Sequence, residues 1–358
     1  MEQKVSRRSF LYTAAGVAAA SRLLYSQQPS VRVPTRVGGY DLRSTVSVVS
    51  GGSRRKNVLD SLAAIEDQIM PVLKTKKYVV IKPNIVNTQN QLASTHVDAL
   101  HGIADFLAPR YKGPIVIAES SAGYSTEGYD NFRYSQVISE HKTQQVSLLD
   151  LNEEGKYEVI QVLDANLHPI PVRLAARLLD PDAYVICSGM LKTHNTVVAT
   201  LSIKNMTLGA PLHSARKETP RWNDKRAYHG GVRQTHFDIF LTAQKMRPSW
   251  GATLLDGYEG MEGNGPNSGD PVASRIAIAS TDYIAADRVG IESMGINPEW
   301  VGYLNFCAQA GLGQNDLSKI DIRGVKIADV KKKYRLHQDI ERELRWMGPM
   351  TEIPEKLG

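Results

Sequence analysis

The chain has 358 residues, with 43 Lys and Arg against 37 Asp and Glu for a formal net charge of +6, and 42% of its residues are hydrophobic. That length can bury a sizeable core in one large domain or two closely joined lobes. The basic residues are scattered and not interleaved with aromatics, which excludes nucleic acid as a first partner. Cys187 and Cys307 are the only cysteines, too few for a four-cysteine zinc site or for an iron–sulfur cluster held within this chain. Both lie in apolar stretches and read as buried thiols, with a disulfide as the alternative.

The first element is a targeting signal. "SRRSFLYTAAGVAAA" places Arg7 and Arg8 before Phe10 and Leu11, then a short Ala-rich stretch with an A-x-A site at Ala18 to Ala20. This resembles a twin-arginine export signal, and its apolar stretch falls short of the ~20 residues that a spanning helix needs. Residues 1–30 are therefore set apart as a signal peptide. The expectation is export by the twin-arginine machinery to the periplasm or cell envelope, with no transmembrane segment after the signal is removed.

Seven short runs rich in Val, Ile and Leu then follow, each bounded by Gly, Pro or polar residues: "STVSVVSG", "KYVVIKPN", "GPIVIAES", "QQVSLLDL", "DAYVICSG", "WGATLLDG" and "SRIAIAS". They read as buried strands. Helical patterns lie between several of them, over Val58 to Leu73, Thr95 to Leu107, Gln234 to Met246, Asp282 to Met294 and Glu299 to Ala310. The alternation predicts an α/β domain over residues 31–330, built on a largely parallel sheet covered on both faces. Residues 155–174 break the rhythm as a small antiparallel excursion. Residues 210–231 form a long stretch without a clear element, of the kind used as a lid or binding loop. Residues 331–358 read as a charged, partly amphipathic helix or tail with a solvated basic face.

In a doubly wound sheet, ligands sit beyond the carboxyl ends of the strands. "YVVI" ends in Lys82, Pro83 and Asn84, and "IVIA" in Glu119, Ser120 and Ser121. "YVICSGM" leads into Lys192, Thr193 and His194, and "ATLL" ends in Asp256. Four strands thus deliver polar groups to one edge, where Lys192, His194 and Lys204 are the candidate catalytic residues and Lys82, Asn84, His96, Glu119, Asn205 and Asp256 line a crevice. The cationic and amide donors of "LKTHNTVVATLSIKN" suit a carboxylate or phosphate, and a lysine crowded by other cations suits proton transfer or covalent attachment. The alternative is that Lys192 and Lys204 pair structurally with Glu119 and Asp256, since buried charges are normally paired. "THVD" predicts a Thr95 cap with His96 in the first helical turn, where an anion is favoured; a surface histidine bonded to its own loop is the other reading.

"DGYEGMEGNGPNSGD" carries Asp256, Glu259 and Glu262 in front of glycines and matches neither a P-loop nor a dinucleotide fingerprint. Gly263 and Gly265 would let the backbone approach a ligand, or simply form a surface turn. His194, His229 and Glu262 are candidates for a divalent metal, though no metal-ligand spacing supports them.

The order "VVIKPN", "TH", "IAES", "LKTH", "LSIKN", "DG…MEGNGP…G" and "STDYIAADRVG" resembles the family catalogued as domain of unknown function 362, from Val79 to Gly295. The resemblance implies an α/β domain with a shared pocket and no established reaction. Many relatives carry a ferredoxin-like cluster module whose cysteines this chain lacks. The lysine and histidine arrangement is also loosely similar to the nickel-pincer lactate racemase, in which a cofactor is attached to lysine and nickel is held by histidine. The reading that follows is an exported enzyme or cofactor-dependent protein acting on a small anionic molecule. A non-catalytic binding protein for a small anion or metal is the alternative, and a paired-charge assembly factor a third.

Overall fold

The computed structural model describes residues 41–348. The twin-arginine segment lies outside the described residues. Twelve strands are present among those described: β1 (Ser44–Ser50), β2 (Tyr78–Lys82), β3 (Ile115–Glu119), β4 (Val146–Asp150), β5 (Tyr157–Leu163), β6 (Pro169–Ala175), β7 (Ala183–His194), β8 (Val198–Thr200), β9 (Trp250–Glu262), β10 (Asp270–Val272), β11 (Ile276–Ser280) and β12 (Ile320–Gly324). The main sheet runs β12-β1-β11-β9-β7-β2-β3-β4, with β8 and β10 as short antiparallel returns on β7 and β9. From β9 to β4 all neighbours are parallel, and β11 is antiparallel to both β1 and β9. All seven predicted strands are present, and the antiparallel excursion is the β5-β6 hairpin.

Side chains alternate across a strand, so a sheet covered on both faces needs apolar residues at every position. The two core clusters show this division. Val80, Val185, Cys187, Leu255 and Ile278 pack on one face; Val79, Ile81, Tyr184, Ile186, Leu254 and Ala277 pack on the other. Helices Ser202–Gly209, Val232–Met246, Tyr283–Ser293 and Gly302–Gln309 cover the first face through residues such as Ile203, Ile239, Val289 and Leu304. Helices Arg54–Ala63, Glu66–Leu73 and Val97–Leu107 cover the second through Val58, Ile69 and Phe106. Both cysteines are free and buried, one on each side of the first interface.

Three elements differ from the expectation. The helix read over Val58 to Leu73 is two helices, broken where Ile65 takes φ −121°. Thr95 does not cap the helix that follows: the cap is His96, whose Nδ1 accepts from the Asp98 N–H at 3.1 Å. The Thr95 hydroxyl instead accepts from the Asn84 N–H at 2.8 Å and donates to the Ser188 carbonyl at 3.1 Å. The described part of the C-terminal segment, residues 331–348, is not a continuous helix. Lys332 and Tyr334 donate their N–H groups to the carbonyls of Ser293 and Met294 at 2.8 and 2.9 Å, and the short helix Ile340–Glu343 runs on into a 3-10 turn over Leu344–Met347. Tyr334 and Glu343 are both sunk into the domain, an insertion that one straight amphipathic helix could not make. Among the described residues no helix is long and apolar enough to cross a membrane.

Candidate functional site

The carboxyl ends of β2, β3 and β7 are tied together by a chain of buried side-chain hydrogen bonds. Lys82 lies between the two Glu119 oxygens at 2.9 and 3.0 Å and donates to Asn205 Oδ1 at 3.1 Å. Asn84 Nδ2 donates to the same Asn205 oxygen at 3.1 Å. Asn84 Oδ1 in turn accepts from Lys192 Nζ at 2.6 Å, and Lys192 also donates to the Ala93 carbonyl at 2.8 Å. Glu119 accepts from the N–H groups of Ser120 and Ile85 as well, at 2.8 and 3.2 Å. Every member of the chain is thus held in one rotamer by at least two partners. Burial pushes the Glu119 carboxyl up despite the Lys82 ammonium beside it.

Asn205 and Lys204 reach this edge on the helix Ser202–Gly209, a stretch to which the sequence reading assigned no element. Its first turn is held by the buried Asp287: one carboxylate oxygen accepts from the Ser202 N–H at 2.9 Å and the other from the Ile203 N–H at 3.0 Å. The "DRVG" of "STDYIAADRVG" therefore positions the "SIKN" helix. Its last residue, Gly209, lies so close to β2 that a Cβ there would overlap the Lys82 amine. Only glycine permits that approach.

A cavity of about 260 Å³ opens beside this chain, lined by Asn84, Glu119, Lys204 and Asn205 on the sheet side and by Asn223, Lys225, Arg226 and His229 from the long 210–231 segment. Lys204 is 7% exposed, and among the described residues its amine has no acidic partner and no hydrogen-bond acceptor. Desolvation, with Lys82 adding repulsion, pulls its pKa down to about 7. Lys225 donates to the carbonyls of Pro211 and Leu208 at 2.6 and 3.3 Å, and burial brings it down to about 7 too. The Arg226 guanidinium has no partner among the described residues. His229 holds the Lys225 carbonyl at 2.9 Å through Nδ1, which leaves Nε2 as a base. Glu119 is the one carboxylate on the cavity wall, and Lys82 occupies it. The wall is net positive.

The sequence missed Lys225, Arg226 and Asn223, although the absence of regular structure over 210–231 had marked the segment that carries them. Of the residues it named, Lys82, Asn84, Glu119, Lys204 and Asn205 come together. Lys192 stands behind Asn84, fully buried, its pKa driven well below the ordinary lysine value by desolvation and then by Lys204. His194 is buried too, and its Nδ1 accepts from the N–H groups of Thr196 and Val197 at 3.0 and 3.4 Å. Burial and the nearby Lys204 hold it neutral.

The structure places the remaining candidates elsewhere. Asp256 pairs with Arg54 at 3.1 Å, not with Lys192 or Lys204, and His96 has Arg54 and Asp98 as its near charges. Asp256 shares strand parity with Ala252 and Leu254, which face the second cluster, so it points to the helix Arg54–Ala63. Lys82 shares parity with Val80 and faces the first. Gly263 and Gly265 belong to a turn packed on the end of β7: Thr193 Oγ1 donates to the Gly263 carbonyl at 2.8 Å, and a Cβ at Gly265 would overlap the Thr193 carbonyl. The "LKTH" and "EGNGP" motifs are therefore packing partners. Glu262 accepts from the Arg335 N–H at 2.9 Å and does not join His194 or His229. Among the described residues no three His, Cys, Asp or Glu side chains are gathered as a metal would need, so these residues do not fit the metal reading.

An α/β domain with a cation-rich crevice at the carboxyl ends of its parallel strands is the class that fold and site define. Residues 79–292, more than half of the chain, match the family described as domain of unknown function 362, and the chain belongs to that family. A thylakoid-associated protein of Synechocystis sp. is 30% identical over 146 residues, which are 40% of this chain and 41% of that protein. The chain thus spans about two fifths of that relative's length. A solved Thermotoga maritima protein aligns with a TM-score of 0.41 at 10% identity, over 78% of this chain and 62% of that one.

The three lysines should respond differently to removal of charge. Lys82→Met strands a buried carboxylate and should cost ~3–5 kcal/mol. Lys192→Met orphans the Asn84 oxygen and the Ala93 carbonyl, at ~1–3 kcal/mol for a buried unsatisfied group. Lys204→Met removes a desolvated charge without a partner and should leave stability unchanged or raised. Urea unfolding of the ligand-free proteins at pH 7 checks the order; a Lys204→Met variant as unstable as Lys82→Met would make Lys204 a structural ion.

Proposed function

We propose that this chain is an exported protein that binds a small carboxylate or phosphate in the Lys204 crevice and acts on it by proton transfer. The observation that carries the reading is the Lys204 amine, buried on a cavity wall with no counter-charge among the described residues. An ammonium there is costly until an anion arrives, so function opposes stability at that position. With a pKa of about 7, the amine serves in both roles at neutral pH. As a cation it meets the anion; when it is the free amine, the Arg226 and Lys225 charges on the same wall keep the anion bound while Lys204 takes a proton from it. Lys225 and Arg226 supply further positive charge, and the His229 Nε2 is a second base on the same wall. Lys192 and His194 hold the frame behind them. The free Lys204 amine is also the group to which a lysine-attached cofactor would be joined.

A capture protein without catalysis would use the same donors, and proton transfer separates the two. Mass spectrometry of the natively purified protein identifies the retained molecule, which is then incubated with wild type or Lys204→Met in deuterated water. Deuterium entry at a carbon next to the carboxylate, lost in the variant, supports the enzyme. Retention with no exchange by the wild type supports capture alone.

The lowered pKa sets the pH dependence. The unfolded lysine titrates near 10.5 and the folded one near 7, so between these values the unfolded chain binds more protons. Stability of the empty protein therefore rises with pH over that window. The advantage of Lys204→Met over wild type should be greatest at pH 7 and below, and should vanish towards pH 10.5. Anion affinity should run the other way, level below pH 7 and falling above it, because the anion is held more tightly by the charged amine than by Arg226 and Lys225 alone. Parallel melting and titration series from pH 6 to 10 test both signs.

Export by the twin-arginine route to the periplasm or cell envelope is part of the same proposal and rests on Arg7 and Arg8. Replacing both by Lys should leave a folded protein in the cytoplasm, read by cell fractionation; unchanged export of the double variant would remove the claim.

A further inference from the structure

Beside the Lys204 cavity lies a second chamber of about 310 Å³, lined by Tyr124, His213, Ser214, Arg221 and Trp222 and sharing Ala122, Asn223 and Arg226 with the first. Its aromatic walls are fixed. Arg173 lies 3.4 Å from the Trp222 ring centre and is itself held by Asp224 through Nε and Nη2, both at 2.8 Å. The Trp222 Nε1–H donates to Glu218 at 2.6 Å. The Tyr124 hydroxyl accepts from Arg221 at 2.9 Å, and Arg216 lies 4.1 Å from its ring centre. Arg226, without a partner among the described residues, stands where the two chambers meet.

We infer that the ligand of the proposed site is an anion carrying a planar aromatic or heteroaromatic group, its acid at Lys204 and Lys225 and its ring in the outer chamber against Trp222 and Tyr124. This rests on the anion-binding reading and adds to it the part of the molecule beyond the acid. A bare inorganic anion would meet the cationic wall of the first cavity and leave the aromatic walls of the second unused. Rings pre-set by guanidinium and carboxylate partners lose little freedom when another ring stacks on them. Ring stacking with a cation at the join corresponds to about a tenfold gain in affinity, about 1.4 kcal/mol.

Calorimetric titration of the full chain, stripped of retained ligand, tests this with acetate against phenylacetate and 3-phenylpropionate, and with inorganic phosphate against phenyl phosphate. The expected result is that the best aryl member of either series binds about tenfold tighter than its parent anion. That ratio should collapse towards one in Trp222→Leu and in Tyr124→Leu, with two variants used so that misfolding of one leaves the other informative, while Lys204→Met weakens parent and aryl anions alike. Parent anions that bind as well as their aryl forms would overturn the inference and leave the anion reading standing. Failure of every anion to bind would overturn both. An aryl preference that survives both outer-wall variants would place the ring elsewhere and overturn the inference.

Discussion

The buried ion pair of Lys82 with Glu119 fixes the geometry of the whole edge. A carboxylate and an ammonium taken out of water are tolerated only when each is fully engaged. Glu119 meets that condition with the amine and two backbone N–H groups, and Lys82 with the carboxylate and Asn205. The pairing joins β2 to β3, and the Asn205 bond brings in the helix behind β7. The consequences are steric as well as electrostatic, because the helix must end in Gly209 to lie against the amine. One carboxylate is thereby consumed in structure, which is why the neighbouring lysines face the cavity without one.

Charge removed from that carboxylate's reach is handled in two ways. Lys192 is so desolvated that its ammonium is strongly disfavoured, and the amine acts as a neutral donor between Asn84 and a carbonyl. Lys204 has no such acceptor and opens on the cavity. Two lysines twelve residues apart in one sequence segment therefore have different chemistry, one orienting an amide and the other open to a ligand. Their common feature, an excess of cations over acids in "LKTHNTVVATLSIKN", does not distinguish them.

Much of the architecture was legible because buried parallel strands leave apolar runs that no surface element imitates. The same reading placed Lys82, Asn84 and Glu119 together, since neighbouring parallel strands end at one edge. It failed for Asp256 because an edge has two faces. Counting in twos from Leu254 and from Val80 sends Asp256 towards Arg54 and Lys82 to the opposite side. Lys225 and Arg226 carried no pattern: they sit in a segment whose course is set by distant partners such as Arg173, which receives Asp224. The glycines of "EGNGP" were visible as points of close approach, but the surface they approach is the Thr193 backbone and not the cavity. The C-terminal tail was legible in part, since its basic run Lys331–Lys333 is exposed. Its charges suggested a solvated helix, whereas Glu343 is buried and accepts from the Val198 N–H at 2.9 Å.

That last contact bears on how firmly the cationic edge is held. Val198 takes φ +69°, a left-handed conformation that a β-branched residue adopts only under constraint. It lies between His194 and Lys204, in the return that turns the end of β7 towards the helix. The Glu343 carboxylate holds one side of that return, and Asp287 holds the first turn of the helix that follows. Two buried acids, both raised to about 7 by burial, thus act on backbone N–H groups and leave the Lys204 amine uncompensated. Acids are available in this interior, and they are spent on positioning. The arrangement keeps the cavity positive even with Lys204 and Lys225 both neutral, because Lys82 cancels the Glu119 charge and Arg226 does not lose its own.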